Sequence, residues 1–140
     1  MFQRLNPDAG YVAPADMPEL GLTQVVAANG FLFMSGIAPM RGTLAELEVV
    51  APGDMAGQLT FLLDVLDRCL IESGSSREHL ISWTLYATDI DALAQQGEVM
   101  KAWAGDHLPA STGVQVEKLF LEGQVLELQA IAVQSAAVQP

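Results

Sequence analysis

The spacing of apolar residues changes along the chain, and the changes predict alternating strands and helices. Residues 1–20 are rich in proline and glycine and have no clear period, so they predict an irregular lead-in. Two β-prone runs, 22–28 and 31–35, flank Asn29 and Gly30. Because Asn-Gly readily adopts the positive φ angles of a two-residue turn, these runs predict a β-hairpin.

A first helix is predicted from the cap residue Asp54 to a stop at Gly74. Its apolar residues recur at spacings of three and four and define one buried face: Met55, Leu59, Leu62, Leu63, Leu66, Cys69 and Leu70. The polar residues between them are predicted to face solvent: Gln58, Asp64, Asp67, Arg68 and Glu72. The preceding segment 36–53 is predicted as a long loop with room for a short extra strand at 47–50.

A third strand and a second helix follow. Residues 79–88 alternate in the manner of a strand. The helix is predicted to begin at a cap, Asp89 or Asp91, and to stop at Gly105. Three of its residues are predicted to be buried: Leu93, Met100 and Trp103.

Two final strands are predicted over 112–120 and 125–134. The order ββαβαββ predicts an α+β fold, a mixed sheet with two helices on one face. Along the last strand one face is uniformly apolar: Leu126, Leu128, Ala130 and Ala132. The other face mixes apolar and polar residues, so it is predicted to meet another subunit. No composition shift divides the chain, so residues 1–140 predict a single domain.

Composition and charge narrow the range of partners. The 140 residues carry a formal net charge of −11, from 17 acidic and 6 basic residues. Because the basic residues are scattered, we expect no nucleic-acid partner and no membrane partner. The N-terminus lacks an apolar signal segment, and the single cysteine, Cys69, falls in the apolar helical pattern. We therefore expect a cytoplasmic protein with a buried thiol.

Residue counts exclude most standard sites. The histidines His79 and His107 and one cysteine do not provide a zinc cluster, so we expect no metal. Phosphate-loop, dinucleotide and nucleophile-elbow motifs are absent, so we expect no cofactor. Glu127 stands out, because a carboxylate between leucines in a β-run is unfavourable to bury unless something pairs with it or uses it. Two interpretations stay open: a functional carboxylate, or a solvated or structural residue of the sheet.

Four segments together resemble one protein family. They are FLFMSGIAP at 31–39, TLYATDIDAL at 84–93, LPASTGVQV at 108–116 and LELQAIAV at 126–133. Over residues 22–134 the chain resembles the Rid family, the reactive intermediate deaminases also called the YjgF family. The resemblance implies a chorismate-mutase-like ββαβαββ fold and a homotrimer with an inner β-barrel and ligand clefts between subunits. It also implies hydrolysis of 2-imino and 2-enamino acids to 2-keto acids and ammonia without metal or cofactor.

The resemblance also assigns roles to individual residues. Glu127 corresponds to the glutamate that positions or activates the attacking water. The backbone at Ser35 and Gly36 corresponds to groups that help hold the ligand. Leu22 stands where the family usually has a tyrosine, and Gly97 where it often has an asparagine. These two replacements imply a wider and less polar cleft.

The clearest departure from the family concerns a substrate clamp. Deaminating members read P-A-R-S or P-A-R-T where this chain has P-A-S-T at 109–112. Ser111 therefore replaces the arginine that binds the substrate carboxylate, and Ser111 and Thr112 are expected to donate hydrogen bonds to a neutral polar ligand instead. Arg41 has two interpretations, a substitute cation that swings into the cleft or a plain surface residue.

The combined expectation is a small-molecule hydrolase or deaminase with its cleft between trimer subunits. Its substrate is expected to be an enamine, imine or amide-like metabolite rather than a standard 2-imino acid, because the clamp is absent. The alternatives are a non-catalytic trimer that binds or senses a small molecule, and a trimeric partner in a larger complex. Some family members carry an endoribonuclease label, which the net charge of −11 argues against here.

Overall fold

The structure, a computed structural model, describes residues 2–135. Its elements in chain order are β1 (Phe2–Leu5), β2 (Val25–Ala28), β3 (Phe31–Met34), β4 (Met40–Thr43), β5 (Glu46–Val49), α1 (Met55–Glu72), β6 (Leu80–Ala87), α2 (Ile90–Ala94), α3 (Gly97–Ala104), β7 (Ala110–Gln115) and β8 (Leu126–Val133). Short 3-10 turns lie at Pro14–Asp16, Pro18–Leu20 and Arg77–His79. None of the helices within these residues is long and apolar enough to cross a membrane.

Six strands form one mixed sheet in the order β1-β2-β3-β8-β6-β7. All neighbours pair antiparallel except β6 and β7, which run parallel because α2 and α3 carry the chain back between them. The remaining two strands, β4 and β5, form a separate ribbon. The predicted α+β class with a mixed sheet is confirmed.

The helices cover one face of this sheet, as the alternation along β8 predicted. The four alternate residues of β8 are almost completely buried there: Leu126, Leu128, Ala130 and Ala132. Leu85 of β6 pairs with Leu128 and, on its other side, with Gly113 of β7. At Gly113 the side chains of Ile90 and Leu93 from α2 pack against the sheet. Helix α1 contacts both β8 and α2, so all three elements share this side.

The opposite face of the sheet, which we call the open face, is divided into two halves. Its apolar half lies on β3 and β8, where Phe33 pairs with Ile131 and remains 46% exposed. Its polar half lies on β6, β7 and β8, where Thr84 pairs with Thr112 and Gln129. A large exposed apolar area beside polar groups is typical of a surface that meets another molecule.

The first hairpin has the predicted turn. Asn29 has a φ angle of 53° and Gly30 a φ angle of 82°. Positive φ at both central residues matches the right-handed twist of the two flanking strands. Val25 therefore pairs with Met34, and the predicted hairpin is confirmed.

Helix α1 begins and ends where predicted, but one of its polar residues faces inward. Asp54 caps the helix by accepting a hydrogen bond from the Gly57 amide at 3.1 Å. The prediction that Gln58 faces solvent was wrong, since it is completely buried. Its amide nitrogen donates to the Gly123 carbonyl at 2.9 Å, and its oxygen accepts from the Val125 amide at 2.8 Å. Gln58 thus satisfies the backbone of the turn before β8, which a helical pattern cannot reveal.

The thiol on the same helix is buried as predicted. Cys69 is inaccessible to solvent. Burial raises the pKa of this thiol to about 12, because the thiolate would lose its hydration. The thiol therefore stays protonated at neutral pH, as expected of a structural cysteine.

The lead-in and the long loop contain more strand than predicted. The irregular assignment of residues 1–20 was wrong for Phe2–Leu5, because β1 pairs antiparallel with the edge of β2. Four residues are too few to display a period, and the pairing is long-range. The extra strand expected at 47–50 is β5, but its partner β4 was not predicted. Strand β7 lies at Ala110–Gln115 instead of 112–120.

The second predicted helix is divided into α2 and α3. Asp89 caps α2 by accepting hydrogen bonds from the amides of Asp91 and Ala92, both at 3.1 Å. Helix α3 starts afresh at Gly97 and ends before Gly105, whose φ angle is 64°. Glycine has low helix propensity, which favours a break at this point. Leu93 of α2 is buried as predicted, whereas Met100 and Trp103 of α3 are only partly buried against the core.

An aromatic stack joins α3 to the sheet. The ring centres of Trp83 on β6 and Trp103 on α3 lie 5.7 Å apart. The Arg77 guanidinium lies 4.7 Å from the centre of the Trp103 ring, and it also binds the Asp67 carboxylate at 2.8 Å. Arginine over an indole face is a favourable cation–π contact. The stack therefore fixes Trp83 and α3 relative to each other.

Candidate functional site

Glu127 lies on the open face of β8, opposite Tyr86 of β6, and is half-buried. Its Oε1 accepts a hydrogen bond from the Gln124 side chain at 3.2 Å. Gln124 is buried, and the same amide nitrogen also donates to the Leu126 carbonyl at 3.1 Å. Among residues 2–135 no hydrogen bond reaches the other carboxylate oxygen, Oε2. One oxygen of Glu127 is thus anchored while the other is free to accept a proton or a hydrogen bond.

Gly36 lies directly against this carboxylate. A Cβ atom added to Gly36 would overlap Oε2 of Glu127 and stand 3.1 Å from its Cδ. The loop is held in place by Ile37, whose amide donates to the Leu128 carbonyl at 2.7 Å. Any larger residue at position 36 would displace the carboxylate or the loop. The structure therefore brings the predicted residues Gly36 and Glu127 into contact.

Ser35 and Leu22 lie on the segments beside this contact. The Ser35 hydroxyl donates to the Thr23 carbonyl at 2.6 Å, and the Ser35 amide donates to the Gln24 carbonyl at 2.9 Å. The Ser35 side chain is thus used to hold the two segments together. Leu22 is exposed at the entry to β2 and lines a shallow cavity with Asn6 and Thr23.

Tyr11 is a neighbour of Glu127 that sequence reasoning missed. Its hydroxyl accepts a hydrogen bond from the Ala38 amide at 2.9 Å, and the ring is buried. Burial raises the pKa of Tyr11 to about 12; the bond from Ala38 opposes this rise, and the charge of Glu127 adds to it. The phenol is therefore neutral at physiological pH. No pattern in the lead-in segment indicates that Tyr11 feels the charge of Glu127, because the two residues are far apart in sequence.

Ser111 and Thr112 point to opposite sides of the edge strand β7. Thr112 pairs with Thr84 on the open face. Ser111 is on the helix side, and its Oγ accepts a hydrogen bond from the indole nitrogen of Trp83 at 2.8 Å. Ser111 also lines a cavity of about 240 Å³, which we call the Trp83 cavity. Its wall consists of Trp83, Gly97, Met100, Lys101, Leu108, Pro109 and Ser111.

Within one chain the structure does not bring Ser111 and Glu127 together. Strand β6 separates β7 from β8, so the two strands are about 10 Å apart. Glu127 aligns through Tyr86 with Val114, three residues along β7 from Ser111, which adds about 10 Å along the strand. The two side chains also belong to opposite faces. A single small ligand cannot touch both within one subunit.

Arg41 lies on the β4–β5 ribbon. Its Nε donates to the Glu48 carboxylate at 3.2 Å, and both side chains are exposed. This position agrees with the surface interpretation of Arg41. The alternative, a cation that swings into the cleft, requires this ion pair to open.

Residues 2–135 contain no group of three His, Cys, Asp or Glu side chains placed to hold a metal ion. The two histidines lie away from Glu127, on either side of Glu78. His79 Nδ1 is 3.9 Å and His107 Nε2 is 3.8 Å from the Glu78 carboxylate. His79 also contacts the Ser76 hydroxyl at 2.9 Å.

Comparison with known proteins gives a consistent family. A family model described as Endoribonuclease L-PSP matches residues 13–134. The chain belongs to this family, the YjgF/Rid proteins. A RutC family protein of Aquifex aeolicus is 32% identical over 124 residues, which cover 85% of this chain and 93% of the relative. A relative in Escherichia coli K12, TdcF, is 30% identical over 116 residues (81% of this chain, 86% of the relative) and is provisionally named a reactive intermediate deaminase.

Solved YjgF/Rid structures share the fold. The yeast protein YEO7 superimposes with a TM-score of 0.79 at 23% identity, covering 96% of this chain and 100% of that chain. A YjgF-family protein of Neisseria meningitidis, NMB1025, gives a TM-score of 0.74 at 24% identity and covers 96% of both chains. The expected family membership is thus confirmed, and the fold of the YjgF/Rid proteins is that of this chain.

Proposed function

We propose that the protein is a small-molecule hydrolase or deaminase that works as a homotrimer, with Glu127 as its catalytic carboxylate. The observation that carries the proposal is the arrangement of Glu127, half-buried against Gly36, with one oxygen anchored by Gln124 and the other unpaired. The substrate class is an enamine, imine or amide-like metabolite. The provisional name of the relative TdcF supports the deaminase alternative.

For an imine, the reaction assigned to Glu127 is a hydrolysis. The free carboxylate oxygen takes a proton from a water molecule while the oxygen of that water bonds to the carbon of the C=N group. The carboxyl group gives this proton to the nitrogen, which leaves a carbon that carries one hydroxyl and one amino group. The carboxylate then moves the hydroxyl proton to the same nitrogen as the C–N bond breaks, which releases ammonia and leaves a C=O group. Water supplies every atom that is added to the substrate, so the hydrolysis as written needs no cofactor. In this proposal the backbone at Gly36, which lies against the carboxylate, contacts the reacting group.

A trimer completes this site in the proposal. Ser111 and Thr112 lie too far from Glu127 to share a ligand within one chain, whereas the exposed edge strand β7 of a second copy is free to approach it. The apolar half of the open face then lines an inner barrel, which removes Phe31 and Phe33 from water. The helices remain on the outside.

Replacement of Glu127 by glutamine tests this assignment, because glutamine keeps the size of the side chain and the bond from Gln124 but cannot take a proton. Turnover is measured as ammonia released from a panel of imines, enamines and small amides. We expect Glu127→Gln to lower turnover by about 100-fold or more. Glu72→Gln, an exposed glutamate at the end of α1, is the matched control. Equal activity in the two variants would show that Glu127 is not the catalytic group.

A second candidate is a trimer that binds a small molecule without changing it. The observation that favours it is the absence of the arginine that binds the substrate carboxylate. Ser111 stands at that position, and Arg41 forms an ion pair with Glu48. The two candidates are separated by mass spectrometry of ligands found in a thermal-shift screen. A ligand that stabilises the protein and is recovered unchanged supports the second candidate, whereas a hydrolysed ligand supports the first.

We propose that the protein is not a ribonuclease, although the matched family model is described as an endoribonuclease. The net charge is −11, and three of the six basic side chains are paired with carboxylates: Arg41, Arg68 and Arg77. Such a surface lacks the clustered cations that bind a phosphate backbone.

A cytoplasmic location also remains a prediction. One relative, mmf2 of Schizosaccharomyces pombe, is described as mitochondrial.

A further inference from the structure

Two buried glutamines, Gln58 and Gln124, hold the turn that precedes β8. This turn, residues 121–125, is called the β8 turn. Gln124 closes it twice: its side-chain oxygen accepts a hydrogen bond from the Leu121 amide at 3.2 Å, and its backbone amide donates to the Leu121 carbonyl at 3.1 Å. The turn therefore carries the Gln124 side chain in a fixed position beside Glu127.

The Leu121 amide decides which way the Gln124 side chain points. A backbone N–H only donates, so it must face the oxygen of the Gln124 amide and not its nitrogen. The nitrogen then faces the Leu126 carbonyl at 3.1 Å and Oε1 of Glu127 at 3.2 Å, so each of its two hydrogens has an acceptor. Gln124 therefore presents a donor to the Glu127 carboxylate, and a reversed amide would lose all three bonds.

Gln58 fixes the β8 turn from α1. Its amide nitrogen donates to the Gly123 carbonyl at 2.9 Å and to the Ala51 carbonyl at 3.1 Å. Its oxygen accepts from the Val125 amide at 2.8 Å. The Gly53 amide adds a backbone bond to the Gly123 carbonyl at 2.8 Å. One buried side chain thus joins the β8 turn to the segment that leads into α1.

The backbone on both sides of this junction is strained or tightly packed. Ala51 has a φ angle of 46° and Gly123 a φ angle of 83°. A residue with a Cβ atom is disfavoured at positive φ and persists there only where its surroundings hold it, often near functional sites. A Cβ atom added to Gly123 would stand 3.0 Å from Cβ of Pro52. The β8 turn is therefore packed closely against residues 51–53.

We propose that Gln124 and Gln58 are positioning residues for Glu127, an inference that rests on the proposed function. Gln124 holds Oε1 so that Oε2 stays against Gly36, where it takes the proton of the attacking water. Gln58 acts one step further away, by fixing the turn that carries Gln124. A misplaced catalytic group loses a large factor in rate, so the orientation of the carboxylate sets the rate of proton transfer.

Gln124→Met tests the positioning role, because methionine keeps the size of the side chain and removes its donor. We expect kcat to fall about tenfold or more while KM changes by less than about twofold, since the lost bond orients the catalytic group and does not bind substrate. Gln58→Met should lower kcat by a smaller factor. Both constants are measured from ammonia release. Gln95→Met, at an exposed glutamine that ends α2, is the matched control and should keep them.

A double-mutant cycle with Glu127→Gln separates positioning from a general loss of structure. If Gln124 acts through the carboxylate, adding Gln124→Met to Glu127→Gln should change the residual turnover by less than about twofold. A merely structural role would lower turnover by the same factor in both backgrounds. That result, or an unchanged kcat in Gln124→Met, would overturn the positioning role while the loss of turnover in Glu127→Gln upholds the proposed function. Equal turnover of Glu127→Gln and wild type would reject the proposed function itself.

Gly123→Ala perturbs the β8 turn without removing a polar group, so it complements Gln58→Met, which leaves three backbone groups unpaired. The added Cβ atom meets Pro52 and should displace the turn, so kcat should fall several-fold. Gly105→Ala, at the end of α3, also has a positive φ angle but open space around the added atom. It should lose stability yet keep kcat. Equal kcat in the two alanine variants would overturn the role of the turn.

The hydrogen bond from Gln124 to Glu127 is testable without any substrate. In heteronuclear NMR spectra the side-chain NH2 signals of Gln124 should move in Glu127→Met, which removes the acceptor. They should stay in place in Glu72→Met, at an exposed glutamate of α1. The NH2 signals of Gln58 should stay in place in both variants. Unchanged Gln124 signals in Glu127→Met would overturn the positioning role whatever the turnover.

Discussion

The two faces of the six-stranded sheet are built from the same strands but differ in what they leave exposed. On the helix side, Leu85 and Leu128 pair across strands and are fully buried. On the open face Glu127, the residue before Leu128 on β8, and Phe33 on β3 remain accessible. Successive residues of β8 therefore serve different purposes, since a strand points them to opposite sides. Substitutions on one face should change stability, and those on the other should change assembly or chemistry.

The largest expected effect is on assembly. Phe33→Asp places a charge in the middle of the apolar half of the open face, and burial of three such charges about a symmetry axis is strongly unfavourable. Light scattering at micromolar concentration should give the mass of a trimer for the wild type and of a monomer for the variant. Ile71→Asp, at a residue of α1 that is 59% exposed, is the control and should remain trimeric. A monomeric wild type would remove the basis for a site between subunits.

A smaller effect is expected for the helix side. Leu128→Ala removes a buried side chain between α1 and β6 and should lower the free energy of unfolding by about 2–5 kcal/mol. Gln129 is the next residue and is exposed on the open face. Gln129→Ala should therefore change the free energy of unfolding by less than about 0.5 kcal/mol. Urea denaturation of both variants measures the contrast. Similar losses would mean that the open face contributes to the core of the single chain.

The smallest expected effect depends on pH. Because the pKa of Tyr11 is about 12 in the folded chain and about 10 when unfolded, the unfolded chain loses its proton first as the pH rises. Tyr11 thus contributes stability that is complete below pH 10 and is lost towards pH 12, by about 2–3 kcal/mol. In Tyr11→Phe this part of the alkaline decline should disappear, although neutral stability falls because the Ala38 amide loses its acceptor. Urea denaturation from pH 8 to pH 12 measures this decline, and a Tyr11→Phe variant that keeps the whole wild-type decline would contradict the assignment to Tyr11.

Local signals in the sequence were sufficient for much of the fold. Asn29-Gly30 defines its hairpin, Asp54 caps its helix, and the alternation along β8 separates the helix side from the open face. Each of these depends on neighbours within a few residues. The resemblance to one family then indicated Glu127 and Gly36, and the structure has them in contact.

Features that depend on distant partners were not predictable in the same way. Gln58 lies at a polar position of a helix, yet it is buried because it satisfies the backbone near Gly123 and Val125. Tyr11 sits in a segment without period and reaches the Glu127 region through the fold. Ser111 was expected to bind ligand from its place in a motif, but the orientation of its hydroxyl depends on Trp83, 28 residues earlier. These contacts join parts of the chain whose proximity no local pattern encodes.

The stacked indoles have a spectroscopic consequence. The chain has two tryptophans, Trp83 and Trp103, and their ring centres are 5.7 Å apart. Excitation energy passes efficiently between rings this close, so the fluorescence of the protein comes from one coupled pair. Trp83 also forms part of the cavity wall and binds Ser111. We therefore expect the intrinsic emission of the unlabelled protein to change when a molecule binds in that cavity.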